Sequence, residues 1–168
     1  MPSCVQCVER VVGVADYKVS ATAGERLITY ALGSCLGIAV YDPLAQVAGL
    51  LHVMLPSGVI DHAQMRACPA MFVDSGVPLL FKACYALGAQ KSRMRIAVAG
   101  GAHAGASMHV DHLHIGEHNV RALDALLLRN GVGARARDLG GTQVSRTLCV
   151  DVASGEVTVR VNGVERRF

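Results

Sequence analysis

Tryptophan is absent from this 168-residue chain, and other aromatic side chains are scarce, with three Phe and four Tyr. Charged residues are also few, at 17%, and the net charge of +3 comes from basic residues scattered along the chain. Nucleic-acid-binding domains need a concentrated basic surface, and single-strand binders also need aromatic side chains on which bases stack. We therefore expect no nucleic-acid partner.

Long hydrophobic runs are missing as well. No apolar stretch approaches the roughly 20 residues that a membrane-spanning helix needs. The N-terminal segment lacks the continuous apolar stretch after a basic start that a secretory signal has. We therefore expect a cytoplasmic protein without membrane insertion. In that compartment the six cysteines are expected to be free thiols, most of them buried, and not a disulfide framework.

Hydrophobic residues nevertheless make up 52% of the chain, mostly in short segments separated by turn residues. This pattern predicts an α+β fold, with a single domain over residues 1–168 and mixed or antiparallel sheets carrying two main helices. The helices are predicted at 77–87 and 117–130, a polar loop at 57–69 and irregular structure at 105–114. Strands are predicted at 10–20, 27–32, 36–41, 47–55 and 95–99, with further short strands between 134 and 162.

One cysteine lies in a setting that favours reactivity. Cys35 follows Gly33 and Ser34 at a break between two predicted strands. Gly33 allows a positive φ or a close backbone approach, so the thiol is expected to be partly exposed. The backbone N–H groups of this turn, at Gly33, Ser34 and Cys35, are candidates for binding substrate or holding an oxyanion. On these residues alone, a tight turn beside a core cysteine is the commoner outcome.

A candidate base lies seventeen positions further on. His52 occupies an apolar segment, where a lone histidine is usually a hydrogen-bonded core residue. The segment from Cys35 to His52 is predicted to form a β-hairpin that turns at Asp42 and Pro43. If Asp42 pairs with residue 45, Cys35 lies directly opposite His52 on the same face, with Cβ atoms about 4.5–5.5 Å apart. A thiol beside an imidazole makes a thiolate available at neutral pH.

These segments resemble the CheD family of chemoreceptor glutamine deamidases. The likeness covers nearly the whole chain, and its most specific part is the pairing of Gly-Ser-Cys35 with His52-Val-Met-Leu-Pro56. The matching segments are 12–19, 29–35, 41–43, 49–56, 99–102, 115–119, 139–141 and 154–160.

The resemblance implies a hydrolase that converts glutamine side chains of methyl-accepting chemotaxis receptors to glutamate and releases ammonia. The family's catalytic Cys, His and Thr would fall on Cys35, His52 and Thr29. A Cys35 thioester intermediate then follows from ordinary acyl-transfer chemistry. From the residues alone, Thr29 could equally be a β-branched residue that fills a strand.

Two kinds of partner are implied, namely chemoreceptor cytoplasmic domains as protein substrate and a CheC-type phosphatase. The alternative function is therefore a non-catalytic chemotaxis adaptor that docks to either of them. The presence of Cys35, His52 and Thr29 together favours the enzyme, because an adaptor does not need all three.

Other conspicuous residues give weaker signals. Cys4 and Cys7 have the spacing of half a zinc site or of a redox pair, but the sequence holds no second pair at that spacing to complete a zinc site. The histidines between His103 and His118 could bind a metal, although a polar loop near the active-site mouth is favoured. The glycine-rich segment 99–106 lacks the Lys-Ser/Thr of a phosphate loop. We therefore expect no metal and no cofactor.

Overall fold

The computed structural model describes residues 7–57, 61–105 and 113–168. Within them the chain forms ten strands and three α-helices, together with short 3-10 turns at Pro69–Met71 and Lys91–Arg93. The strands are β1 (Val8–Val11), β2 (Asp16–Ser20), β3 (Glu25–Leu32), β4 (Leu36–Asp42), β5 (Val47–Val53), β6 (Arg95–Gly100), β7 (Ala136–Leu139), β8 (Arg146–Asp151), β9 (Val157–Val161) and β10 (Val164–Arg167). The helices are α1 (His62–Ala67), α2 (Val73–Ala86) and α3 (Ile115–Arg129).

The strands form two five-stranded sheets. The outer sheet has the order β1-β3-β8-β9-β10, and the central sheet has the order β2-β5-β4-β6-β7. Each sheet is antiparallel except for one parallel pair at an edge, β1 with β3 and β6 with β7. The predicted α+β class with mixed sheets is confirmed.

The central sheet lies between the outer sheet and the helices. Every residue of β4 and β5 is buried, as expected for strands covered on both faces. Alternate side chains enter two separate cores. Leu51 and Val53 pack with α2 and α3 in one core, whereas Leu50 packs with Leu148 of the outer sheet in the other. Because the period of a strand is two, residue 52 must face the outer sheet.

Helices α2 and α3 cover the other face of the central sheet, as predicted. Val77 and Leu80 of α2, and Leu123 and Leu127 of α3, point into the core that these helices share with the central sheet. The spacing of three and four residues is that of an amphipathic helix. Helix α2 begins four residues before the predicted start, so that Pro78 lies inside the helix instead of in its first turn.

Two predicted segments differ from the structure, and a third lies mostly outside the described residues. The predicted strand at 10–20 is two strands in different sheets, separated by a turn in which Ala15 has φ +56°. The predicted loop at 57–69 contains α1, which begins where the Asp61 carboxylate accepts a hydrogen bond from the Gln64 N–H. That helix has no buried residue, so it lacks the apolar stripe that signals a helix. Most of the segment 105–114 lies outside the described residues.

No helix within the described ranges is long and apolar enough to cross a membrane.

Candidate active site

The hairpin of β4 and β5 carries the two residues that the sequence singled out. Its strands are antiparallel neighbours, as predicted, but Asp42 pairs with Val47, so the loop is 43–46. The Asp42 carboxylate accepts hydrogen bonds from the N–H groups of Leu44 and Ala45. It also forms a salt bridge with Arg93 at 2.7 Å. These contacts hold Asp42 in the strand and leave four residues for the turn.

The predicted direct pairing of Cys35 with His52 is therefore wrong by two residues. Gly37 lies opposite His52, and Cys35 precedes the first residue of β4. A shift of two residues keeps the same face of the sheet, and Cys35 packs against the core between the sheets, which His52 also faces. Cys35 is thus a diagonal neighbour of His52, a relation in which residues lie about 7–8 Å apart.

Thr29 approaches His52 from the other sheet. Its Oγ1 lies 2.8 Å from His52 Nδ1, and both residues are buried, with exposed fractions of 0% and 1%. The same hydroxyl donates to the carbonyl oxygen of Val12 at 2.8 Å. Val12 occupies the turn where the chain crosses from the outer sheet to the central sheet, and its N–H donates to Ile28 of β3. The contact between Thr29 and His52 therefore bridges the two sheets.

This geometry assigns the tautomer of His52. A threonine hydroxyl has one hydrogen, and a carbonyl oxygen can only accept, so the Thr29 hydrogen is committed to Val12. The Thr29 oxygen must then accept from Nδ1–H of His52. Nε2 consequently carries the lone pair, and it is buried without a hydrogen-bond partner among the described residues. A buried imidazole nitrogen with an uncommitted lone pair is well suited to take a proton, and Cys35 is the diagonal neighbour of this histidine.

Burial sets the charge state of the pair. It raises the pKa of the Cys35 thiol above its ordinary value of 9.0, against a smaller lowering by the residue's own backbone N–H. It also lowers the pKa of His52 below its ordinary value of 6.5. Both shifts favour a neutral thiol with a neutral imidazole, because desolvation penalises the charged form of each group. A resting thiolate, which the sequence led us to expect, is therefore disfavoured before substrate binds.

The turn at residues 33–35 is held through its three carbonyl groups. The Gly33 oxygen accepts from Ala102 N–H at 2.9 Å, and the Cys35 oxygen accepts from Gly101 N–H at 3.0 Å. The Ser34 oxygen accepts from the side-chain amide of Asn119 at 3.0 Å. The Gly33 N–H donates to Ala31 and so is not free for an oxyanion. Ser34 and Cys35 therefore supply the candidate oxyanion donors.

Glycine-rich packing brings these carbonyl partners close. A Cβ on Gly100 would lie 2.0 Å from the Cys35 oxygen, and Gly100 has φ +121°. A Cβ on Gly116, in the first turn of α3, would lie 2.6 Å from the Ala102 oxygen. Only glycine fits at these two contacts. The Gly100-Gly101 pair thus supports the turn that carries Cys35.

The remaining candidate residues make no hydrogen bond with Cys35, His52 or Thr29 among the described residues, or lie outside those residues. Cys84 and Cys149 are buried, as predicted, and burial raises the pKa of each thiol to about 12. Cys7 is exposed, whereas Cys4 lies outside the described residues. The ring of His103 stacks edge-on against His114, with centroids 5.9 Å apart. Among residues 7–57, 61–105 and 113–168, no group of three potential ligands could hold a metal ion.

Asn119 is the residue of this site that the sequence reasoning did not single out. It is fully buried, and its amide donates to the carbonyl oxygens of both Ser34 and Met54 at 3.0 Å. A signal was present, because Asn119 lies on the same helical stripe as Leu123 and Leu127. A polar side chain on the apolar face of a helix needs buried partners.

A thiol, an imidazole and a hydroxyl in contact with that imidazole are the kinds of group that cysteine hydrolases use, and here the observed contact is the one between Thr29 and His52. The family model described as "CheD chemotactic sensory transduction" matches residues 54–161. The chain belongs to the CheD family, and this recognition from the sequence is confirmed.

Individual relatives extend the match. The chain is 41% identical to a "Probable chemoreceptor glutamine deamidase" of Syntrophus aciditrophicus, over 91% of this chain and 94% of the relative. It is 42% identical to one of Desulforamulus reducens, over 90% of each chain, and 41% identical to one of Pyrococcus abyssi, over 89% of each. The family match begins after Thr29, Cys35 and His52. An alignment that covers 91% of the chain, however, includes residues 29–52.

Proposed function

We propose that this protein deamidates glutamine side chains of chemotaxis receptors, with Cys35 as nucleophile, His52 as general base and Thr29 as the group that orients the imidazole. The single observation that carries the proposal is the hydrogen-bond chain from Val12 O through Thr29 to His52 Nδ1, which leaves Nε2 as a proton acceptor. The names of the relatives supply the substrate class. We assign the activity to one domain spanning residues 1–168.

The reaction follows from the positions of the protons. As Cys35 Sγ attacks the side-chain amide carbon, its proton moves to Nε2 of His52. The developing oxyanion is held by the N–H groups of Ser34 and Cys35. The imidazolium then gives the proton to the leaving nitrogen, which departs as ammonia, and a thioester remains. Nε2 next takes a proton from water as that water attacks the thioester, and the imidazolium returns this proton to Cys35 Sγ as the glutamate product is released.

Burial limits charge separation in this route to the reacting state. The thiol is neutral at rest, so charge develops only when substrate excludes the remaining water and the oxyanion donors are engaged. The Thr29 oxygen that holds Nδ1–H also stabilises the imidazolium that forms midway through each half of the reaction. Ordering of the base by a neutral hydroxyl, and not by a carboxylate, is consistent with the lowered pKa of His52.

The test is mass spectrometry of receptor cytoplasmic fragments after incubation with the protein. We expect specific glutamines to become glutamate, and in heavy-oxygen water the new carboxylate should carry the label. Cys35→Ala should abolish conversion with an unchanged Tm. Cys68→Ala is the matched control, since Cys68 is also half-buried and its thiol contacts the Ala15 carbonyl.

Two outcomes would overturn the proposal. Conversion that survives in Cys35→Ala would move the chemistry to another residue. Receptor binding without conversion of any glutamine would favour the adaptor function, in which the protein docks to receptors or to a CheC-type phosphatase.

A further inference from the structure

We infer that Asn119 is a positioning residue that orients the oxyanion-binding N–H of Cys35. The Asn119 amide donates to the Ser34 carbonyl, which belongs to the same peptide unit as the Cys35 N–H. The described residues contain no cis peptide bond. In a trans peptide the C=O and N–H point in opposite directions. Holding the Ser34 oxygen against α3 therefore turns the Cys35 N–H away from α3.

The neighbouring peptides show why this contact matters. The Gly33 and Cys35 carbonyls are held by backbone N–H groups of Ala102 and Gly101. The Ser34 carbonyl is the only one of the three whose partner is a side chain, so it is the one that a substitution can release. A flip of the Ser34–Cys35 peptide would replace the donor at the oxyanion with a carbonyl oxygen, which repels negative charge.

Asn119 also links the nucleophile to the base. Its second amide hydrogen donates to the Met54 oxygen at 3.0 Å, just beyond the strand that carries His52. Only an NH₂ group can serve two carbonyl oxygens in this way, so the orientation of the amide is unambiguous. The Asn119 oxygen is buried without a partner among the described residues, an energetic cost that core packing alone would not favour.

The inference deepens the proposed function and rests on it for the role of Cys35, but it can be tested without a receptor. Acylation of Cys35 by p-nitrophenyl acetate passes through an oxyanion, and the thiol and the ester give a thioester and p-nitrophenol. Alkylation of Cys35 by iodoacetamide displaces iodide at a saturated carbon and forms no oxyanion. The ratio of the two rates, measured on the Cys35 peptide by mass spectrometry, reports the oxyanion donor separately from the thiol.

The primary variant is Asn119→Leu, which keeps the branched shape and removes both donors. We expect acylation of Cys35 to fall about 100-fold and alkylation to change less than about threefold. Asn119→Ala, which leaves space instead of adding apolar contacts, is the second variant, and rates are referred to the folded fraction at a temperature below Tm. Leu123→Ala is the control, because it perturbs the next turn of the same helix and removes no hydrogen bond to residues 33–35.

The outcomes separate the two proposals. Equal loss of acylation and alkylation would show that Asn119 only holds the turn in place, and unchanged acylation would show that it does not control the donor. Either result overturns the inference. Failure of the wild-type protein to convert receptor glutamines would instead overturn the proposed substrate and leave the rate ratio to decide the role of Asn119.

Discussion

Replacing Thr29 with valine tests the tautomer assignment directly. Valine matches the shape of threonine but removes the hydroxyl that accepts from His52 Nδ1–H and donates to the Val12 carbonyl. Both groups are then left buried without a partner. Each unsatisfied group costs about 1–3 kcal/mol, so the variant should lose about 2–6 kcal/mol of unfolding free energy.

The catalytic effect follows from the same contacts. Without the Thr29 oxygen, the imidazole is no longer held as the Nδ1–H tautomer, and the form with hydrogen on Nε2 cannot act as the base. If the hydrogen bond to Thr29 favours the Nδ1–H tautomer over the Nε2–H tautomer by about 1–3 kcal/mol, its loss should lower kcat roughly 5- to 150-fold, since about 1.4 kcal/mol is a factor of ten. His52→Ala should lose more, because it removes the base altogether.

The assay combines receptor deamidation with nitrogen NMR of the His52 ring, which distinguishes the two tautomers. Thr29→Ser is the matched control, since it keeps the hydroxyl and loses only a buried methyl group. We expect Thr29→Ser to retain most of the wild-type kcat and the Nδ1–H tautomer of His52. Thr29→Val and Thr29→Ala should have a lower kcat and should no longer hold His52 in that tautomer. If Thr29→Val retains wild-type kcat and the Nδ1–H tautomer, Thr29 is only a strand residue and the reasoning fails.

Two further predictions concern the nucleophile turn and pH. Gly100→Ala should lower kcat and also lower the unfolding free energy by about 1–3 kcal/mol, because Gly100 has a positive φ and the added Cβ would meet the Cys35 oxygen. Gly133→Ala is the control, and it should leave both quantities nearly unchanged because a Cβ there meets nothing within 4 Å. Chemical denaturation and receptor deamidation measure the two effects, and equal behaviour of the variants would contradict the predicted contact. The folded-state pKa of His52 is lowered from 6.5, so its contribution to stability is present above pH 6.5 and is lost as pH falls through the folded pKa. We expect kcat/KM to fall with decreasing pH only below pH 6.5. In the same range, the difference in unfolding free energy between the wild-type protein and His52→Gln should become smaller as the pH falls. A fall of kcat/KM that begins above pH 6.5 would instead indicate a thiolate–imidazolium pair.

The part of the site that could be predicted from sequence is the part built on one hairpin. Cys35 lies just before β4 and His52 lies in β5, so a turn and a period of two suffice to place them on the same face of one hairpin. Their exact register could not be predicted, because it depends on the contacts of Asp42 with Arg93, a residue from a distant turn. Because the register differs from the predicted one by two residues, Cys35 and His52 still lie on the same face, and their proposed pairing as nucleophile and base is unaffected.

Thr29 was reached only through family resemblance, for a physical reason. It lies in the outer sheet, and its contact with His52 depends on how two sheets pack, which no local pattern in either strand encodes. The contact between Thr29 and the Val12 carbonyl could not be predicted from the sequence either. The segment around it was predicted as one strand, whereas the chain changes sheets there and thereby presents a free backbone oxygen to Thr29.

The candidate site draws residues from every layer of the fold. Thr29 comes from the outer sheet, His52 from the central sheet, Cys35 from the turn that leads into β4 and Asn119 from the helical layer. Strand β5 makes this possible because it is buried on both faces, so that Leu51 and Val53 pack on helices while His52 between them faces the outer sheet. A one-residue slip of β5 would exchange these faces and turn His52 into the helical core, away from Thr29. The packing that stabilises the fold is therefore also what turns the proposed nucleophile, the proposed base and the Thr29 hydroxyl toward the core between the two sheets.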